Sequence, residues 1–274
     1  MLGTSETSII YIMVKNVLYT LSFLLFSSLA MGTNDYSVCN EGYVSSIGGE
    51  MEKNAGCSGL TLNNGWKAGK EADSTEVARL GIDNCFAVEK IDKTIADRIR
   101  GKSYKDGCNI PLDNLRYVRV LHRDYEGRTL YGELICDKSI AEDLKCIFHQ
   151  LYDADYPIER MVLIDNYGAD DVKSMSDNNT SCFNYRKVAG SNSLSKHSLG
   201  KAIDINPLYN PYVKKKNNGT MVVNPEQSRK YALRNGKFRY KIEKGDLCYR
   251  LFKSRGFRWG GEWRTVKDYQ HFEK

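Results

Sequence analysis

Strand-like and helix-like segments alternate irregularly along this chain, without the repeated strand–helix–strand units of a parallel sheet, which predicts the α+β class. Two other observations agree. The chain has 274 residues, 41% of them hydrophobic, which suffices for one sizeable core. No internal repeat divides it.

The elements follow in order. Val17 to Leu29 is a short apolar run, preceded by Lys15 and followed by Ala30 and Gly32. This layout predicts a secretory signal segment over residues 1–32, too short for a membrane-spanning helix. Residues 33–84 are rich in Gly, Asn and Ser and read as an irregular, cysteine-containing extension. From 85 the pattern tightens into one domain reaching 274. Val88, Ile91, Ile95 and Ile99 recur at helical spacing, with Gly101 as the stop. Leu115–Leu121 and Thr129–Cys136 read as strands, and Ile140–Tyr152 as an amphipathic helix that Pro157 breaks. Met161–Ile164 and Ala202–Asn206 read as short strands. Residues 209–227, with Lys214, Lys215 and Lys216 in a row, read as an exposed loop or hairpin. Leu247–Phe252 reads as a last short helix.

Charge and cysteines bound the function. The net charge of +6 suits an anionic partner, and no arginine-rich tract or nucleic-acid motif points to nucleic acid. Eight cysteines in an exported chain (Cys39, Cys57, Cys85, Cys108, Cys136, Cys146, Cys182 and Cys248) predict some disulfides, with no pairing singled out. No CxxC pair supports a structural thiolate metal site.

The chemistry concentrates near the C-terminus. One segment is Ser195-Lys196-His197-Ser198-Leu199-Gly200-Lys201-Ala202-Ile203-Asp204; the other is Asp268-Tyr269-Gln270-His271-Phe272. On a strand over 202–206, Asp204 faces opposite to Ile203 and Ile205, so the isoleucines take the core and the carboxylate a cleft. Gly200 lets the chain turn and brings His197 back towards Asp204. Asp268 and His271, three apart, share a face on one helical turn or a tight turn. His197, Asp204 and His271 are then three ligands for one zinc ion with a fourth position open. Asp268 beside them is placed to take a proton from the attacking water and pass it to the leaving amine. Trp259, Trp263, Tyr269 and Phe272 would wall the site. His122 and His149 read as structural.

These residues resemble the M15 family of zinc peptidases, whose fold is shared with hedgehog signalling domains. The family pattern SxHxxGxAxD, then D/ExxH, is met by Ser195, His197, Gly200, Ala202, Asp204, Asp268 and His271. The resemblance spans roughly residues 85–274. It is nearest to the subgroup of phage L-alanyl-D-glutamate endopeptidases and bacterial D-alanyl-D-alanine carboxypeptidases. It implies a single catalytic domain with a small, mainly antiparallel sheet flanked by helices. It implies that His197, Asp204 and His271 bind one Zn2+ per chain and that Asp268 is the general base. It assigns Arg186 to the oxyanion or a substrate carboxylate and Ser195 to substrate contact or to orienting His197; Trp263, on the aromatic wall, is read as a further substrate contact. The expected partners are peptidoglycan stem peptides, for an exported, monomeric peptidase in the periplasm or cell wall. The competing expectation is a zinc-containing wall-binding module without turnover. The scissile bond stays open between D-Ala-D-Ala and L-Ala-D-Glu.

Overall fold

A computed structural model describes residues 66–188 and 191–274, within the compact unit Ala55–Lys274. The apolar run at 17–29, Cys39 and Cys57 lie outside the described residues. The class is α+β, with three small antiparallel sheets in place of the one expected.

The first sheet contains β1 (Ala87–Lys90), β2 (Leu115–Arg123) and β3 (Thr129–Asp137). Before it stands helix α1 (Ser74–Leu80), capped by Asp73, whose carboxylate accepts from Thr75 N and Glu76 N. Residues 66–84, read as the end of the irregular extension, thus fold onto the sheet: Trp66 Nε1 donates to Gly132 O at 3.1 Å, and Val77 is in the core. Val88 is a strand residue opposite Val118, and the helix predicted around it begins later, as α2 (Lys93–Ile99). The reason is local. Asp92 accepts from Ile95 N at 2.8 Å and so starts the helix there.

Alternation along β2 sorts its side chains between two layers. Leu115 and Tyr117 face α2, packing with Ile95 and Ile99. Val118 and Val120 face α3 (Ala141–Asp153), packing with Leu144, Ile147, Phe148 and Leu151. The strand expected at 161–164 does not form. The Asn179 side chain bonds both Val162 N and Val162 O, so that backbone is satisfied without a ladder, and a 3-10 turn follows at Ile164–Tyr167. Helix α4 (Asp171–Ser176) comes next.

The second sheet orders β4 (Ala202–Asp204), β9 (His271–Glu273) and β7 (Arg258–Trp259); the third orders β6 (Met221–Asn224), β5 (Tyr212–Lys215) and β8 (Lys267–Asp268). β5 and β6 are the hairpin expected in the lysine-bearing segment. Helix α5 (Leu247–Ser254) precedes β7. Phe252 stacks on Phe272 at 4.4 Å and meets Phe148 edge-on at 6.4 Å, which fastens the second sheet to α3.

The disulfide expectation is corrected for five of the cysteines among the described residues: Cys85, Cys108, Cys136, Cys182 and Cys248 form no disulfide. Cys85, Cys136, Cys182 and Cys248 are buried as small apolar core residues, and burial pushes their thiols up. No helix among the described residues is long and apolar enough to cross a membrane.

Candidate metal centre

Three separate pieces of chain bring the site together. Ser195 opens a 3-10 turn over Lys196–Leu199, its Oγ accepting from His197 N at 3.2 Å. Ser195 therefore shapes the backbone that carries His197. Gly200 closes the turn in the left-handed conformation (φ 66°), and a Cβ there would lie 2.6 Å from Asp137 N. Only glycine meets both conditions. Its carbonyl accepts from Asp137 N at 2.9 Å, tying the turn to the first sheet.

Asp204 ends β4, between Ser181 on one side and His271 of β9 on the other. Directly paired residues of antiparallel strands point to the same face, so Asp204 and His271 meet. His197 Nε2 lies 3.3 Å from Asp204 Oδ2 and 3.2 Å from His271 Nδ1, and His271 Nδ1 lies 3.0 Å from Asp204 Oδ1. Three donors on a tetrahedral ion with bonds of 2.0–2.1 Å would stand about 3.3 Å apart. The two imidazoles and the carboxylate thus fit zinc in donor type and in spacing. Both histidines are buried. His197 places its other nitrogen, Nδ1, 2.6 Å from Cys182 O, which puts the proton on Nδ1 and leaves Nε2 bare towards the cluster.

Asp268 and His271 sit on either side of a turn between β8 and β9, not on a helix. Gly260 packs against this turn, where a Cβ would fall 2.5 Å from Asp268 O and 2.8 Å from Asp268 Cβ. Asp268 Oδ1 is buried without a hydrogen-bond partner. Burial first, then the charge of Asp204, lifts Asp268 to about 6. For Asp204 burial is again the largest single influence and pushes it up, but the charges and hydrogen bonds of His197 and His271 together outweigh it and hold the carboxyl well below the usual carboxylate range. Burial likewise lowers His271, and the Asp204 and Glu273 carboxylates overcome it, raising the imidazole to about 10.

The other predicted residues separate. Trp263 stands beside the site, its ring centroid 5.3 Å from that of His271. Phe272 and Trp259 do not wall it. Alternation along β9 turns Phe272 away from the face that His271 occupies, and the two aromatic rings stack in the core at 6.3 Å. Arg186 Nε is ion-paired with Asp171 in the first turn of α4, and Arg186 backbone groups bond Ser195 N and Ser198 Oγ. His122 and His149 are remote in contact: His122 Nδ1 meets Ile158 O at 2.7 Å, and His149 lies between Asp83 and Asp153.

One residue escaped the sequence reading. Glu273 Oε2 lies 3.3 Å from His271 Nε2, and its Oε1 is 2.7 Å from Arg258 Nη2. The His271 hydrogen bond, more than any other influence, keeps Glu273 below its ordinary range. The available signal was its place two residues after His271, which on a strand is the same face.

No curated protein and no solved structure shows significant similarity to the chain. A family model described as D-alanyl-D-alanine carboxypeptidase (Peptidase_M15_4) matches residues 189–274. That match covers the segment holding His197, Asp204, Asp268 and His271, and makes this C-terminal part of the chain similar to M15-family peptidases.

Proposed function

We propose that this chain is a zinc-dependent peptidase that hydrolyses peptide bonds in peptidoglycan stem peptides, either as a D,D-carboxypeptidase or as an L-Ala-D-Glu endopeptidase, after export to the cell wall. The observation that carries this reading is a buried, unpartnered carboxylate oxygen, Asp268 Oδ1, in the electrostatic field of the His197–Asp204–His271 cluster.

His197 Nε2, Asp204 and His271 Nδ1 would hold the metal. A zinc ion there supplies Lewis-acid polarisation of the scissile carbonyl and makes water a stronger acid. Asp268 does the proton work. At about 6 its carboxylate is mostly ionised at neutral pH, yet basic enough to accept a proton from the attacking water. Its free Oδ1 offers the lone pair, and the same oxygen can return the proton to the departing amine. Trp263 shields one side of His271, which lowers the local dielectric. Arg186 is the cation assigned to the oxyanion or a substrate carboxylate, and in that role its pairing with Asp171 would orient the guanidinium.

The test is mass spectrometry of defined muropeptides incubated with the purified chain and zinc. Loss of terminal D-Ala establishes the carboxypeptidase, and a cut after L-Ala the endopeptidase. If zinc-loaded protein leaves every muropeptide intact, the hydrolase reading fails and a wall-binding module takes its place.

A further inference from the structure

His271 has two ring nitrogens with opposite tasks. Nδ1 faces His197 Nε2 at 3.2 Å and Asp204 Oδ1 at 3.0 Å, so it is the nitrogen turned to the cluster. A neutral imidazole carries one proton, and a ligating nitrogen must be bare, so the proton belongs on Nε2. The ring is only 7% exposed, which leaves little room for water to accept that proton. Glu273 Oε2 stands there at 3.3 Å.

The sheet builds this arrangement. His271 and Glu273 are two apart on β9 and share a face. Arg258 of β7 is the direct cross-strand partner of Glu273, and its guanidinium holds Oε1 at 2.7 Å. That contact leaves Oε2 for His271. Lys274 fixes the end of the strand, its N donating to Lys201 O at 3.0 Å and its Nζ to Asp143 Oδ2 at 2.8 Å. The two histidines are therefore unequal. His197 donates its proton to a neutral backbone carbonyl, Cys182 O, whereas His271 donates to a carboxylate. An anionic acceptor draws the Nε2 proton more strongly and makes Nδ1 the better electron donor.

We propose that Glu273, held by Arg258, is the positioning residue of the metal centre: it fixes the Nε2–H form of His271 and strengthens Nδ1 as a ligand, so that it sets metal affinity without touching substrate. The inference rests on the metal reading of His197, Asp204 and His271.

The experiment is zinc titration of the full chain against a chromophoric chelator, with Glu273→Gln, Glu273→Leu and Asp204→Ala in parallel. It is joined to 15N NMR of the histidine rings and to thermal melts of the metal-free proteins. Outer carboxylates on ligating histidines are worth about 10–100-fold in metal affinity. Glu273→Gln keeps an acceptor but not the charge and is expected to lose about 10-fold; Glu273→Leu keeps neither and is expected to lose about 100-fold. The His271 ring nitrogens should shift in both variants and those of His197 should not, with a cooperative metal-free melt retained in Glu273→Gln. Wild-type affinity in both Glu273 variants, beside a wild type that binds one zinc and an Asp204→Ala protein that does not, overturns this proposal and leaves the metal reading standing. A wild type that binds no zinc overturns both.

Discussion

At the scale of single residues, the proposed site divides into groups that would hold a metal and a group that would react. Asp204→Ala removes one of the three proposed ligands, and zinc occupancy measured by elemental analysis should fall to a small fraction of the wild type. Asp268→Asn keeps the shape but not the base, so hydrolysis should fall by about 10²–10⁴-fold while zinc stays bound. Loss of zinc from Asp268→Asn would place Asp268 among the ligands instead. His122 shows the opposite use of an imidazole. It is 2% exposed, and burial holds it neutral at about 4, against 6.5 in the unfolded chain. The unfolded chain therefore takes up the proton first. The stability this imparts is complete above pH 6.5 and is lost as pH falls through about 4, an effect on the order of 3 kcal/mol. Urea unfolding from pH 7 to 4 should show that slope, and His122→Phe should flatten it. His197 and His271, by contrast, were singled out by the sequence because each stands beside a carboxylate in a short motif.

At the scale of elements, short strands do the positioning. β4 and β9 pair in the register that sets Asp204 opposite His271, so one backbone ladder fixes two of the proposed ligands. β5 pairs with β8 so that Tyr212 lies opposite Asp268, which fixes the backbone that carries the proposed base. Gly260 is the tight point of this arrangement. A methyl group there would overlap the Asp268 backbone, so Gly260→Ala must displace the base. A misplacement of about 1 Å costs on the order of 10²-fold in rate. The expected result is that loss in turnover, with zinc affinity within a few-fold of the wild type. Equal loss of both would mean that the turn positions His271 as much as Asp268. Helix α2 teaches a related lesson: apolar spacing from Val88 to Ile99 matched a helix, yet Val88 went to a strand. Periodicity did not see that Asp92 caps the helix and frees the preceding residues to pair with β2.

At the scale of the whole molecule, the metal face and the core are two sides of the same second sheet. Phe272 is fully buried between His271 and Glu273 in sequence and stacks on Phe252, which contacts Phe148 and Phe257 edge-on. Phe252→Ala should cost about 3–5 kcal/mol in thermal or urea unfolding. Because the cavity would open directly behind β9, it should also weaken zinc binding, although Phe252 contributes no ligand. A stability loss with unchanged zinc affinity would show the two faces to be independent.

Local pattern in the chain was enough for the α+β class, for the strands over β2 and β3 and for helix α3, and it singled out His197, Asp204, Asp268 and His271 as candidate site residues. These depend on local period, on turn residues such as Gly200, and on side chains whose chemistry is rare enough to be noticed in short motifs. Tertiary structure alone decided that Phe272 and Trp259 serve the core, that Arg186 pairs with Asp171, that residues 161–164 are satisfied by Asn179, and that Glu273 stands behind His271. Each of these depends on which distant backbone lies alongside. Strand register and side-chain pairing between separate segments leave no periodic trace in the chain that encodes them.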